Sequence, residues 1–279
     1  GPFNKGKSSY FISLNRGKKS IVIDLNKKED KKVLEKILKK TDIMIDNYKP
    51  GILEKYGYHW DYLSKKYPRL IHGKISGFGE TGPMKDLPAY DIIVQAMGGL
   101  MSITGSDKNN NVRVGTSIGD IAAGLFCVIG VLSQLIRRNK TNSGSKLDLS
   151  MLDCQVAILE NAITRYSITK VNPIPLGTDH PSITPFGSFK TKDSQIVIAI
   201  GNEKIFKEFC YIIKDKEMFS DKKFNSNENR RVNMTKLRKR IEAKLKKENS
   251  NYWLRKFAKN KIPSANINSI DDVLKNRQI

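Results

Sequence analysis

A short apolar run (Leu70, Ile71, Ile75) leads straight into Ser76-Gly77-Phe78-Gly79-Glu80-Thr81-Gly82-Pro83, and Pro88-Ala89-Tyr90-Asp91 then opens a helix. Three glycines just past a strand let backbone amides approach a ligand that side chains would otherwise hold off. A helix start close by adds unpaired N–H groups and partial positive charge, which suits an anion. Taken alone, such a loop is more often only a tight strand-to-helix connection. A second candidate is Asp153, in Ser150-Met151-Leu152-Asp153, where a strand gives way to a helix. The helix dipole keeps a carboxylate ionised there, ready to act as a nucleophile. The same spacing fits a plain cap, and on the residues alone capping is the stronger reading. A third candidate is the basic stretch Asn15-Arg16-Gly17-Lys18-Lys19-Ser20. Lysine binds phosphate as a point charge, though any one lysine is most often simply solvated.

These groups need elements to hold them. Ile21-Val22-Ile23-Asp24-Leu25 reads as a buried strand, Lys28 to Lys40 as a helix with Val33, Leu34, Ile37 and Leu38 on one face, and Asp42 to Asp46 as another strand. That is a βαβ unit, which implies a parallel sheet. Short helices around Leu53 and Tyr62 precede the strand at Leu70. A long helix from about Ile118 to Arg138 follows, then a strand over Lys146 to Ser150 and a helix from Met151 toward Tyr166. The apolar run Ile121 to Leu132 is too short for a bilayer and reads as a core helix.

Four prolines between Val171 and Pro185 mark a linker. Beyond it, Phe186 to Phe189 and Gln195 to Ile200 suggest a hairpin. Helices are expected at Glu203 to Ile213, Arg230 to Lys247, Tyr252 to Lys259 and Ser269 to Asn276. The expected architecture is therefore α/β: a large domain over 1–170 with a parallel sheet, a linker over 171–185 and a smaller α+β domain over 186–279.

At 279 residues, 39% hydrophobic and 28% charged, the composition is that of a soluble globular chain. The formal charge of +22 raises nucleic acid as a partner, but lysine supplies 38 of the 50 basic residues and is spread along the chain. A dedicated nucleic-acid surface clusters Arg and Lys with aromatics on one element, so no nucleic acid and no membrane partner is expected. The densest run, Arg230 to Lys247, reads as the solvated face of an amphipathic helix. Cys127, Cys154 and Cys210 lie far apart, and His59, His72 and His180 show no ligand spacing, so no metal is expected. Free thiols point to a reducing, cytoplasmic setting. The chain begins Gly-Pro-Phe-Asn without an initiator Met, so its start is expected to be missing and mitochondrial or other targeting stays open.

Several segments in order resemble the class III CoA-transferases, the CaiB/BaiF family. They are Asn15 to Ile21 with Asp24-Leu25, Asp46-Asn47-Tyr48-Lys49-Pro50-Gly51, Ile75 to Pro83, Gly119-Asp120, Leu147 to Asp153, Pro185-Phe186-Gly187 with Gly201-Asn202, and Ile262 to Asn268. The resemblance implies a Rossmann-like large domain in interlocked homodimers. It also implies that this chain is an internal fragment, lacking an N-terminal strand and helix and a C-terminal return segment.

The resemblance further implies a reaction. Asp153 matches the family nucleophile, which attacks an acyl-CoA to give a mixed anhydride and free CoA thiolate. The thiolate returns to form an aspartyl-CoA thioester, and the acceptor carboxylate then takes over the activated group. CoA is a substrate; no tightly bound cofactor is implied. Arg16 and Lys19 match the phosphate-binding positions, with Lys18 left as a solvated neighbour. Leu53, Lys55, Tyr56, Gly77, Phe78, Gly79 and Lys85 match positions lining the CoA groove. Tyr90, Gly177 and His180 belong to the substrate loops, and the pair His180-Pro181 resembles members handling succinyl-type dicarboxylates. The partners implied are an acyl-CoA, a small carboxylic acid and a second copy of the chain. The alternatives are an α-methylacyl-CoA racemase-type epimerase, disfavoured because Tyr90 stands where those members carry His, and a non-catalytic CoA-binding homologue.

Overall fold

The computed structural model describes residues 1–279, which fall into two compact units: residues 1–98 with 115–160, and residues 99–114 with 161–279. The stretches 99–114 and 161–170, assigned to the large domain on sequence, thus lie in the second unit. Gly177 N donates to Gly105 O at 2.8 Å, tying the two parts of that unit together.

The first unit opens with a minimal hairpin, β1 (Phe3–Asn4) and β2 (Lys7–Ser8), and a helix Ser9–Asn15 capped by the Ser8 hydroxyl. Its centre is a parallel sheet of β3 (Ile43–Asp46), β4 (Ile71–Ser76) and β5 (Ser145–Ser150), in that order, with Asp46 beside Lys74 and Ser76 beside Ser150. The strand expected over Ile21 to Leu25 does not form. No strand lies beside it, Val22 is 93% exposed, and the Asp24 amide bonds the Asp30 carboxylate at 2.8 Å. A strand exists only by pairing its backbone, and β propensity without a neighbour is not enough.

Alternation along β4 sends Ile71, Gly73 and Ile75 to one face and His72, Lys74 and Ser76 to the other. The first face carries the helix Ile118–Thr141, which buries Cys127 and Val131 against Ile71. Gly73 permits this: a Cβ there would stand 3.0 Å from Cys127 Sγ. The other side is closed by a cluster of Leu53 and Leu63 from the short helices, Leu70 just before β4, and Leu38 from helix Lys28–Leu38.

The expected core helix is core on one side only. By length and composition it could cross a membrane, yet a stripe of Ala122, Ala123, Cys127 and Val131 is buried in the protein. Its other side leaves Leu125, Val128, Ile129, Leu132 and Ile136 exposed. Near its end the buried Arg138 donates to the Asp42 and Arg69 carbonyls at 3.3 and 2.9 Å and pairs with the Asp42 carboxylate at 3.0 Å. Helix and strand starts are thereby stapled together.

The second unit packs an antiparallel sheet of β6 (Phe186–Lys190), β7 (Gln195–Ala199) and β8 (Ser264–Asn266) against helices Glu203–Ile212, Met234–Leu245 and Ser250–Lys259. The expected hairpin is present. The helix expected over Arg230 to Lys247 is broken at Asn233, whose side-chain amide reaches back to the Asn229 and Lys223 carbonyls. Nor is this basic run one solvated face. Arg230 is 2% exposed, forked onto Glu203 at 2.7 and 2.9 Å with its centre 4.2 Å from the Phe206 ring. Arg240 grips Asp215, whereas Lys236, Lys239 and Lys246 face solvent. The planar fork of arginine suits such buried pairs better than lysine does.

Candidate functional site

In the first unit the Gly-rich loop follows β4, at the C-terminal edge of the parallel sheet, where ligands of open α/β sheets sit. Its shape is set by close approach: a Cβ on Gly77 would fall 2.3 Å from Ala89 Cβ, and Gly79 has φ +81°. Two amides of this loop are already engaged. Gly79 N donates to Ser76 Oγ at 3.0 Å and Glu80 N to Asp148 Oδ2 at 2.9 Å. These two donors therefore hold the loop to the sheet and do not offer themselves to an anion, contrary to the simplest reading of the glycines.

Beside the loop lies a cavity of about 960 Å³. Gly77, Lys85 and Tyr90, three of the candidate residues, line it. Lys18 lines it too, its Nζ donating to Asn15 Oδ1 at 3.0 Å, whereas Lys19 and Arg16 do not. Lys18 is itself exposed, and Gly17 before it turns with φ +78°. Arg16 instead edges a shallow groove with Phe11 and Ile12. Leu53 is 3% exposed inside the apolar cluster, Tyr56 packs on that cluster, and Lys55 lies 5.9 Å over the Tyr56 ring. None of these three, nor Phe78 or Gly79, is part of the cavity wall.

Met151 lines the cavity, and Asp153 stands two residues further along the same helix, Met151–Ala157. Asp153 is exposed, and its amide donates to the Ser150 hydroxyl at 3.1 Å. The reciprocal bond that would complete a capping box is not made, and no hydrogen bond or ion pair occupies the carboxylate. The cap reading therefore accounts for Ser150 but not for the Asp153 side chain.

The acidic side of the cavity comes from Asp91 and Asp120. Asp91 accepts from Gly119 N at 2.8 Å and from Gln95 Nε2 at 2.8 Å. Burial, then the charge of Asp91, raises the Asp120 carboxyl above its ordinary range. The wall opposite is the turn Asn47-Tyr48-Lys49-Pro50. Behind it lies a group that sequence reasoning missed: Asp46 with His72 at 2.6 Å and Lys74 at 3.1 Å, all buried. Burial works to raise the Asp46 carboxyl, but the His72 hydrogen bond and the charge and hydrogen bond of Lys74 outweigh it and hold it low. The sequence signal was available. A central parallel strand should be nearly all apolar, yet His72 and Lys74 interrupt it on one face.

Gly177 and His180 belong to the second unit. Gly177 has φ +62°, and His180 Nδ1 accepts the amides of Ser182 and Ile183, both at 3.0 Å. With Nδ1 accepting, a neutral ring carries its proton on Nε2. The loop is docked on β6 at Gly187, where a Cβ would come 2.3 Å from Asp179 Oδ1, and Arg238 pairs with Asp179.

Parallel strands ending in a glycine loop, a cationic rim and an acid in the first turn of the next helix define an α/β protein with a ligand cavity at the C-terminal edge of its sheet. The match to known proteins makes that class specific: the chain belongs to CoA-transferase family III, whose model matches residues 1–279. It is 38% identical to an acetyl-CoA:oxalate CoA-transferase of Acetobacter aceti, over 94% of this chain and 68% of that protein. It is 36% identical to a succinyl-CoA:glutarate CoA-transferase of Mus musculus, over 100% of this chain and 64% of that protein. Among solved structures it is similar to a CaiB/BaiF family protein from Brucella suis, with a TM-score of 0.87 and 32% identity, covering 99% of this chain and 73% of that one. The chain thus spans about two thirds of the length of the curated relatives it matches.

Proposed function

We propose that the protein transfers CoA from an acyl-CoA donor to a carboxylic acid through a covalent intermediate on Asp153. One observation carries this reading: an exposed carboxylate in the first helical turn after a parallel strand, unengaged by any neighbour, at the position that resembles the family nucleophile. Asp153 attacks the thioester carbonyl, the C–S bond breaks, and CoA thiolate leaves behind an aspartyl mixed anhydride. The thiolate then attacks the aspartyl carbonyl, releasing the donor acid and leaving an aspartyl-CoA thioester. The acceptor carboxylate attacks that thioester and frees the thiolate, which takes the acceptor acyl group from the second anhydride and restores Asp153. One thioester replaces another, so the cycle is close to thermoneutral.

Lys18 and Lys85 on the cavity rim are the cations we assign to the CoA phosphates, with Arg16 and Lys19 on either side of Lys18 in the chain. The two relatives described above are named for oxalate and glutarate, which supports a dicarboxylic acid as acceptor. We also propose a homodimer, from the family resemblance alone, tested by light scattering of the full-length protein.

The deciding experiment combines Asp153→Ala with hydroxylamine trapping in the full-length protein. Transfer between two acids should disappear, and the wild type should yield a hydroxamate at Asp153 by mass spectrometry. Turnover retained in the variant sinks the reading.

A further inference from the structure

The buried group behind the cavity wall has a geometry that burial alone does not explain. Lys74 is 1% exposed in the middle strand of a parallel sheet, where an aliphatic residue would pack without losing hydration. Its register partner across the sheet is Asp46. Both groups converge on the backbone of one residue. Asp46 Oδ1 accepts the Tyr48 amide at 3.0 Å, and Lys74 Nζ donates to the Tyr48 carbonyl at 3.3 Å. The other oxygen of Asp46 accepts from His72 Nε2 at 2.6 Å, which fixes the rotation of the carboxylate. Asn47 adds a third tether, its side-chain amide donating to the Ile75 carbonyl at 2.8 Å.

We infer that Asp46, His72 and Lys74 are positioning residues: they grip the Tyr48 backbone by both its N–H and its C=O, in the two peptide groups that flank its Cα, and so preset the Asn47–Pro50 turn as a wall for the CoA thioester. The inference rests on the CoA-transfer reading for its ligand, but not for its geometry. A turn between a strand and a short helix would otherwise sample several conformations, and ordering it on binding would weaken affinity. The Lys74–Asp46 pair removes that freedom beforehand. Its value lies in where it holds Tyr48, since apolar side chains of similar volume could replace a buried ion pair with little or no loss of stability.

That last point supplies the test. In the full-length protein, compare wild type, Lys74→Met and the triple variant Asp46→Leu, His72→Phe, Lys74→Met. The single variant strands a buried carboxylate and stands to unfold; the triple variant leaves no unpaired charge and should melt within a few degrees of wild type. In the triple variant, amides over residues 47–49 should exchange about tenfold faster or more while those of β4 and β5 keep their protection. KM for the acyl-CoA donor should rise about tenfold with kcat within about twofold of wild type. Unchanged exchange over 47–49, or an unchanged KM, overturns the inference. Protection lost across the whole sheet also overturns it, since the group would then be a plain stabiliser. Should the wild type transfer no CoA at all, the functional reading falls, and the exchange pattern alone still decides whether these residues set the turn.

Discussion

The second unit gathers sixteen buried apolar residues, from Phe189 to Ile262, into one cluster. The first unit divides its buried apolar residues among clusters of six, five and three. Their charges differ in the same sense. In the second unit, the arginines that turn inward (Arg230, Arg238 and Arg240) each meet a carboxylate that is at least partly in contact with solvent or flanked by more than one base. In the first, Asp46 and Lys74 are taken out of water at the strand ends, Asp91 is buried at the cavity, and a whole side of helix Ile118–Thr141 stays exposed and apolar. One unit is built for cohesion, while the other accepts buried charge and broken packing where its cavity lies. Functional sites commonly show such a departure from the most stable arrangement.

The chain has two tryptophans, and they fall on opposite sides of this comparison: Trp60 touches His72 in the first unit and Trp253 stacks on Phe257 in the second. Variants keeping only one of them would read the units separately. The largest effect should come from Phe209→Ala, which empties a 0% exposed site in the single core and should cost about 3–5 kcal/mol, seen in the Trp253 denaturant transition. A loss below about 1 kcal/mol would mean that this core is loosely packed.

Next in size is Gly77→Ala. The added Cβ would overlap Ala89, whose backbone must then move, for a cost of about 1–3 kcal/mol in the Trp60 transition and a weaker grip on CoA.

Acid should act on the second unit through Asp215. Two bonds from Arg240, at 2.7 and 2.8 Å, hold its carboxyl below the usual range despite burial. A depressed acid contributes stability that is full above its unfolded pKa, near 3.9, and is lost as pH falls through the folded value. Asp215→Asn should therefore flatten the loss of the Trp253 transition below about pH 4, and cost on the order of 1 kcal/mol at neutral pH. An acid limb as steep in the variant as in the wild type would assign it elsewhere.

The smallest effect on stability belongs to Leu125→Ser. Leu125 is 60% exposed on the long helix, so the change should stay within about 0.5 kcal/mol. Light scattering should nevertheless record less self-association, because an apolar stripe is shortened. A large loss of stability would show that this side of the helix is covered in solution.

Much of this architecture was legible beforehand, and the exceptions have physical causes. The hairpin at Phe186, strand β4 and the helix from Ile118 follow from apolar periodicity, which is local. Ile21 to Leu25 has the same local signature but no neighbour, and pairing is not local. That Lys18 and not Lys19 lines the cavity depends on the path of the chain through the turn, which the residue types do not specify. The inward arginines look like their solvated lysine neighbours until their carboxylate partners, up to 59 residues away in sequence, are placed beside them. Asp46, His72 and Lys74 were visible as types, but their meeting depends on register across two strands.

The staple at Arg138 has a mechanical side. The same helix that it anchors at the strand starts lines the cavity with Asp120, Ala123 and Gly124. At 1.5 Å per residue the stretch from Gly124 to Arg138 is a strut of roughly 20 Å. A tilt of about 3° about its pinned end would swing the cavity end by about 1 Å, enough to change which thioester fits. Arg138→Lys, which loses the forked contact to Asp42 and Arg69, is therefore expected to act on the cavity from the far edge of the sheet without altering a single residue that lines it.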